Sequence, residues 1–400
     1  MSRAGELNQT RQGRAGAIRA IGRTGPNYRR LPLLAGSILA LLAGLWAGLQ
    51  RLGWNLPVIQ PGLYAAHGPL MVAGFLGTVI SLERAVAIEE RWSYAAPVLS
   101  AVGAVALITG APDHIGALLI TVASLVLVAI SATVLRRQTA LFTVAIAAGA
   151  VAWLVGNFLW LIGTPIIQMF SWWVAFLVLT IAGERLELSR FAAAGTRREL
   201  FFAASMGVLV AGLLLDLAAP AAGLRLEGAG ILLLVLWLWG YDLARRTVRQ
   251  RGLTRFMAVN LLGGYFWLGV GALTWLWFGD DLTAFHFDAM LHAIFLGFVF
   301  SMIFAHAPVI FPAVLQSPLP YRRAFYFHSA LLHLSLVIRI GGDLCGSYAS
   351  YQWGGMLNVA AVVVFVGNTV IAIISGISEP GRRTPGAMFL SGSGGAEPLP

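Results

Sequence analysis

Apolar residues run along this chain in long blocks, and polar residues are confined to the short gaps between them. At about 1.5 Å of rise per helical residue, blocks of this length suit roughly 30 Å of hydrocarbon. They fall at 33–50, 61–82, 94–111, 115–135, 141–162, 166–182, 200–219, 229–243, 257–278, 286–311, 324–340 and 354–375. The pattern predicts an all-alpha polytopic membrane protein with about twelve transmembrane helices. The sixth and eighth are short. The tenth is predicted to break near Pro308 and Pro312, because proline removes a helical hydrogen bond. The chain divides into an Arg-rich segment at 1–30, a membrane domain at 31–375 and a tail at 376–400. Gly, Pro and Ser in the tail predict disorder. The first block lacks a small-x-small cleavage site, so it reads as a retained helix rather than a removed signal.

Composition changes the picture little but excludes a soluble fold. Apolar residues make up 58% of the 400 positions and charged residues 11%, against about 25% charged in an ordinary soluble domain. The surface has to be covered by lipid.

Charge sets direction. All 27 basic residues are arginines, and the net charge of +10, taken alone, suggests a nucleic-acid binder. Their placement in clusters between apolar blocks is instead the pattern of lipid-flanking charge, so the predicted partner is the bilayer and not nucleic acid. With the N-terminus in the cytoplasm, 24 arginines fall on the cytoplasmic side, and only Arg51, Arg225 and Arg339 fall opposite. The alternation holds across every loop and predicts that both termini are cytoplasmic. The single cysteine, Cys345, excludes an internal disulfide and a Cys-rich metal site.

Ionisable groups inside a membrane are costly and tend to mark function. Seven histidines are the informative ones. His67 and His292 each lie about six residues, or about 9 Å, inward from the outer ends of the second and tenth blocks. Matching depth on two helices is what a cofactor clamped between them requires. Imidazole ligates iron, and its second nitrogen needs an orienting acceptor. Asp288, four residues before His292, is on the right face to supply it. Arg339 stands at the same outer level as a cation for haem propionates; alternatively it snorkels to headgroups or pairs with Asp343. His306, His328 and His333 form a candidate inner site for a metal, a second haem or a proton path. Simple hydrogen bonding between helices is the competing reading for all of these histidines.

These positions carry a resemblance. His67, His292 and the pair His306 and His328, with the segments "MLHAIFLGFVFSMIFAHAPVI" and "LLHLSLVIRIGGDL", resemble the NnrS-like family. Its members are twelve-span bacterial membrane proteins associated with haem, copper and the response to nitric oxide. In topology the chain is also similar to subunit I of the haem–copper oxidases and nitric oxide reductases. That second resemblance implies a low-spin haem b held by His67 and His292, with Arg339 at a propionate. It departs from the oxidase pattern in two places. The sixth and seventh blocks contain no histidine for a copper centre, and Met290 stands where the high-spin haem ligand belongs. The resemblances imply a haem-binding protein of the bacterial inner membrane, engaged in electron transfer or nitric oxide response with a redox partner or membrane complex. The alternatives are a secondary transporter, in which Gly263-Gly264 and the proline break would mark discontinuous helices, and an assembly or structural partner of a membrane complex. No motif in the chain shows catalysis.

Overall fold

The computed structural model describes residues 28–189, 195–279, 284–317 and 319–378. The segments before and after, including almost all of the predicted tail, lie outside the described residues. No strand occurs among the described residues. Among the described residues twelve long helices follow one another: α1 (Leu31–Arg51), α2 (Pro69–Ile88), α3 (Ala95–Ile108), α4 (Asp113–Arg137), α5 (Leu141–Leu161), α6 (Ile166–Ser189), α7 (Thr196–Asp216), α8 (Pro220–Tyr241), α9 (Gly252–Phe278), α10, α11 (Phe325–Leu344) and α12 (Tyr348–Ser378). The tenth is built of three consecutive segments, Ala284–His292, Ala293–Phe300 and Ser301–Leu315.

Eleven of these helices are long and apolar enough to cross a membrane. The exception, α11, is 20 residues long. It falls short in apolarity because it carries His328, His333, Arg339 and Asp343, and its faces are inverted relative to a soluble helix. His328, Ser329, Ser335, Arg339 and Asp343 are buried, whereas Phe327, Leu334 and Val337 are about 60% exposed. In water the apolar face would turn inward.

The predicted break in α10 is not present: the helix runs through both Pro308 and Pro312 to Leu315. Interior proline is tolerated in membrane helices because neighbouring groups take up the freed backbone carbonyls. The helix ends where Gln316 adopts a left-handed conformation (φ 53°). The paired glycines Gly263 and Gly264 do not interrupt α9 either. They admit neighbours instead, since a Cβ at Gly263 would lie 2.8 Å from the His333 ring. The sixth and eighth helices are also longer than their apolar blocks, extending to Ser189 and starting at Pro220 respectively.

Burial follows a period of four. The helices α2, α6 and α10 have 61, 83 and 67% of their most apolar stretch buried, against 28–56% for the other eight apolar spans. These three meet one another at the centre. Phe75 of α2 packs on Phe300 of α10 at 5.9 Å between ring centres, and Phe170 of α6 packs edge-on against Phe287 of α10 at 4.9 Å. On the predicted cytoplasmic side, Arg84 of α2 is ion-paired with Glu184 of α6.

Two of the three central helices change winding. Pro69–Gly77 in α2 and Ala293–Phe300 in α10 are π-helical, with hydrogen bonds spanning five residues. Each contains a glycine covered by an indole from a neighbouring helix. Trp153 of α5 lies over Gly77 and Trp267 of α9 lies over Gly297, closer than any Cβ would permit.

Polar side chains join helices in pairs. Trp173 donates to Asn157, Ser329 to Asn260, and Asn358 to Ser335. An aromatic belt explains fewer tryptophans than their positions near the ends of apolar blocks suggest. Trp153, Trp172, Trp173, Trp237 and Trp275 are all buried within the bundle.

Candidate functional site

The site around His67 and His292 is assembled where α1, α2, α10 and α11 come together. His67 occupies the turn that leads into the π segment of α2, and His292 is the last residue before the π segment of α10. Runs of π-helix are rare and frequent at functional sites. Here the segment in α10 directly follows His292, and the segment in α2 begins two residues after His67.

The two imidazoles face each other across the helix interface. Their ring centres are 6.4 Å apart and their planes differ by 23°. This exceeds ring contact, as the 3.7 Å stack of Phe278 on His286 shows. Both rings are only partly buried, so the helices do not close around them.

Each ring is oriented through Nδ1. His67 Nδ1 donates to the Gly44 carbonyl of α1 at 2.7 Å. Gly48, one turn further along α1, has no side chain because a Cβ there would lie 2.9 Å from His67 Cε1. His292 Nδ1 lies 2.9 Å from the Asp288 backbone carbonyl and 3.2 Å from its carboxylate. The Nδ1 proton fixes the tautomer in each case and leaves Nε2 as the lone-pair nitrogen. An imidazole held at one nitrogen and free at the other is the arrangement of a metal ligand with its outer-shell acceptor.

Arg339 does not face headgroups or pair with Asp343. It grips Asp288 with two parallel hydrogen bonds, Nε to Oδ2 and Nη2 to Oδ1, both 2.9 Å. Its Nη1 reaches Asn358 at 3.4 Å, and its guanidinium stands 5.5 Å from the centre of the Tyr351 ring. The arginine charge is therefore matched within the protein. Its place in the site is to hold Asp288, which in turn holds His292. Asp343, four residues on, is buried with no donor reaching either carboxylate oxygen among the described residues.

The inner histidines do not form one site. His306 Nδ1 donates to the Met302 carbonyl at 2.8 Å, and its Nε2 lies 3.5 Å from Arg185. His328 is enclosed by Phe256, Phe304, Phe325 and Phe365, with Nδ1 3.2 Å from Asn368. His333 accepts from Trp267 Nε1 at 2.9 Å on the side facing α9. No group of three or more His, Cys, Asp or Glu able to hold a metal ion occurs among the described residues. The reason is angular. Five residues of helix turn His333 about 140° from His328, so the two address different neighbours.

Two features were not anticipated. Arg185 of α6 is buried and makes a double hydrogen bond to Asp242 beyond α8, at 2.8 and 3.0 Å. Both stand at helix ends, where charges are usually solvated or paired locally. Glu227, in α8, is wholly buried with neither oxygen accepting a hydrogen bond among the described residues. Its signal in the sequence is plain afterwards: it is a lone acid two residues ahead of the eighth apolar block, in a stretch that folds as part of α8.

Residues 30–374 match a family model described as a domain of unknown function, DUF8744. The chain belongs to the DUF8744 family. No curated protein matches it. The match takes in α1 to α12 nearly whole, so His67, His292, Asp288 and Arg339 all fall inside the DUF8744 domain.

The coupling of Asp288 to Arg339 leads to a stability prediction. Removing one partner of a buried ion pair strands the other charge, which costs about 3–5 kcal/mol, whereas replacing both with apolar groups costs far less. Asp288→Ala is expected to lower unfolding stability in detergent by that amount, and Asp288→Ala/Arg339→Leu is expected to recover most of it. Equal losses in the single and double variants would show that the pair is not coupled as described.

Proposed function

We propose that this DUF8744 chain is a haem b-binding membrane protein in which His67 and His292 are the two axial ligands of one iron. The observation that carries this reading is the 6.4 Å between the two imidazole centres. A metal–nitrogen bond of about 2.0–2.1 Å, and about 1.1 Å more from nitrogen to ring centre, put two axial imidazoles about 6.3 Å apart. Two imidazoles are too few for a bare ion and are the number a porphyrin iron needs to complete six ligands. The Asp288 and Gly44 acceptors supply the outer shell. A haem held by His67 and His292 would supply electron-transfer chemistry. The resemblance to NnrS-like proteins and to oxidase subunit I agrees with this role.

The same reading includes a twelve-span topology with both termini in the cytoplasm. Support comes from the arginine bias and from α11, whose exposed Phe327, Leu334 and Val337 suit lipid. Cys345, exposed just beyond α11, then lies on the outer face.

Two experiments test these statements. Protein purified from haem-sufficient cells should give a reduced-minus-oxidised haem b band, absent or at least tenfold weaker in His67→Ala and His292→Ala. A colourless wild-type preparation would refute the assignment. A membrane-impermeant maleimide should label Cys345 in spheroplasts without permeabilisation, and Cys345→Ser should abolish labelling. Labelling that requires permeabilisation would invert the topology.

A further inference from the structure

A cavity of about 410 Å³ opens at the end of the bundle where α7 begins and α8 ends, lined by Arg198, Gly240, Tyr241, Asp242, Arg245, Arg246 and Arg249, with Leu243. Its size is that of a small-molecule site, and its charge is one-sided. Four guanidiniums face a single carboxylate, and that carboxylate is already satisfied. Asp242 takes two hydrogen bonds from Arg185 and one from the Ala244 amide at 2.7 Å. Arg246 and Arg249 are exposed, and no carboxylate pairs with either among the described residues. Arg198 is 4% exposed; its Nη1 donates to the Ser189 carbonyl, and its Nε is buried without an acceptor. Arg245 donates to the Trp239 carbonyl at 3.0 Å and retains its other N–H groups. Burying an unmatched guanidinium is costly, so this arrangement calls for an anion from outside the chain.

We infer that this arginine-lined cavity binds a phosphate-bearing anion, at the level of the membrane surface. Guanidiniums match phosphate oxygens through paired, charge-assisted hydrogen bonds. Exposed Trp239 and Tyr241 at the same helix end have the amphipathic rings that settle at headgroup level. Basic pockets between membrane helices on the cytoplasmic side hold anionic headgroups. The shared chemistry is phosphate; its source is an anionic phospholipid or the free ion.

Gly240 allows the cavity to be closed without removing charge. A Cβ there meets nothing within 4 Å, so Gly240→Leu fills space while leaving every arginine in place. The full-length protein in mild detergent is titrated with short-chain phosphatidylglycerol, with short-chain phosphatidylcholine and with inorganic phosphate, and binding is read by native mass spectrometry and by the shift in melting temperature. Phosphatidylglycerol is expected to bind at least tenfold more tightly than phosphatidylcholine. Arg246→Gln/Arg249→Gln and Gly240→Leu should each weaken it about tenfold or more. If inorganic phosphate alone shows binding with the same sensitivity to both variants, the free ion is the ligand and the phosphate assignment stands. Equal binding of the two lipids with no response to phosphate, or phosphatidylglycerol binding unchanged in both variants, would overturn the inference.

Discussion

Lipid offers no partner to a polar side chain, and the interior of this bundle is arranged by that constraint. His328, Ser329, Ser335, Arg339 and Asp343 of α11 turn inward, while Phe327, Leu334 and Val337 turn outward. Once inward, each polar group needs a partner on another helix. Arg339 finds Asp288, Arg185 finds Asp242, and His333 finds Trp267. These pairings tie α11 to α10 and α9, and α6 to the end of α8. The position of His292 is a consequence: its Nδ1 is held by a residue that Arg339 holds.

The three-helix centre gives the site its geometry. Because α2 and α10 touch along Phe75 and Phe300, the histidines just ahead of their π segments are brought face to face. The π winding adds room per turn, and the indoles over Gly77 and Gly297 brace both segments from outside. The outer pair therefore stands on two similarly built helices, each supported by a tryptophan from a neighbour. The ionic cluster of Arg84, Glu184, Arg185, Asp242 and His306 joins the same central helices at the opposite end. His292 and His306 are separated by about 20 Å of helix, so the two ends are distinct environments.

Much of this was legible in the order of residues. Membrane helices are signalled by length and apolarity, so the order of the helices follows directly, while α2 starts eight residues after its apolar block begins and α8 nine residues before its own. His67 and His292 stood out because a histidine in an apolar block is conspicuous, and arginine placement assigned both to one side. Three things were hidden. The π segment of α10 has no proline to announce it, unlike Pro69 in α2, because it depends on packing with α9. The Arg185–Asp242 pair joins residues 57 apart in sequence, and nothing local indicates the partner. The inner histidines were grouped by depth alone, and depth carries no information about which helix face each one occupies. Arg339 shows the same limit: Asp343 lies one turn away on its own helix, yet the bidentate partner comes from α10.

The central claim is that His67 and His292 share one iron, and low-temperature electron paramagnetic resonance of the oxidised full-length protein tests it most directly. Two axial imidazoles with planes only 23° apart should give a rhombic low-spin ferric signal in the wild type, converted to a high-spin signal in any haem that His67→Ala or His292→Ala retains. A high-spin signal in the wild type, or a low-spin signal that persists in either variant, would contradict the account.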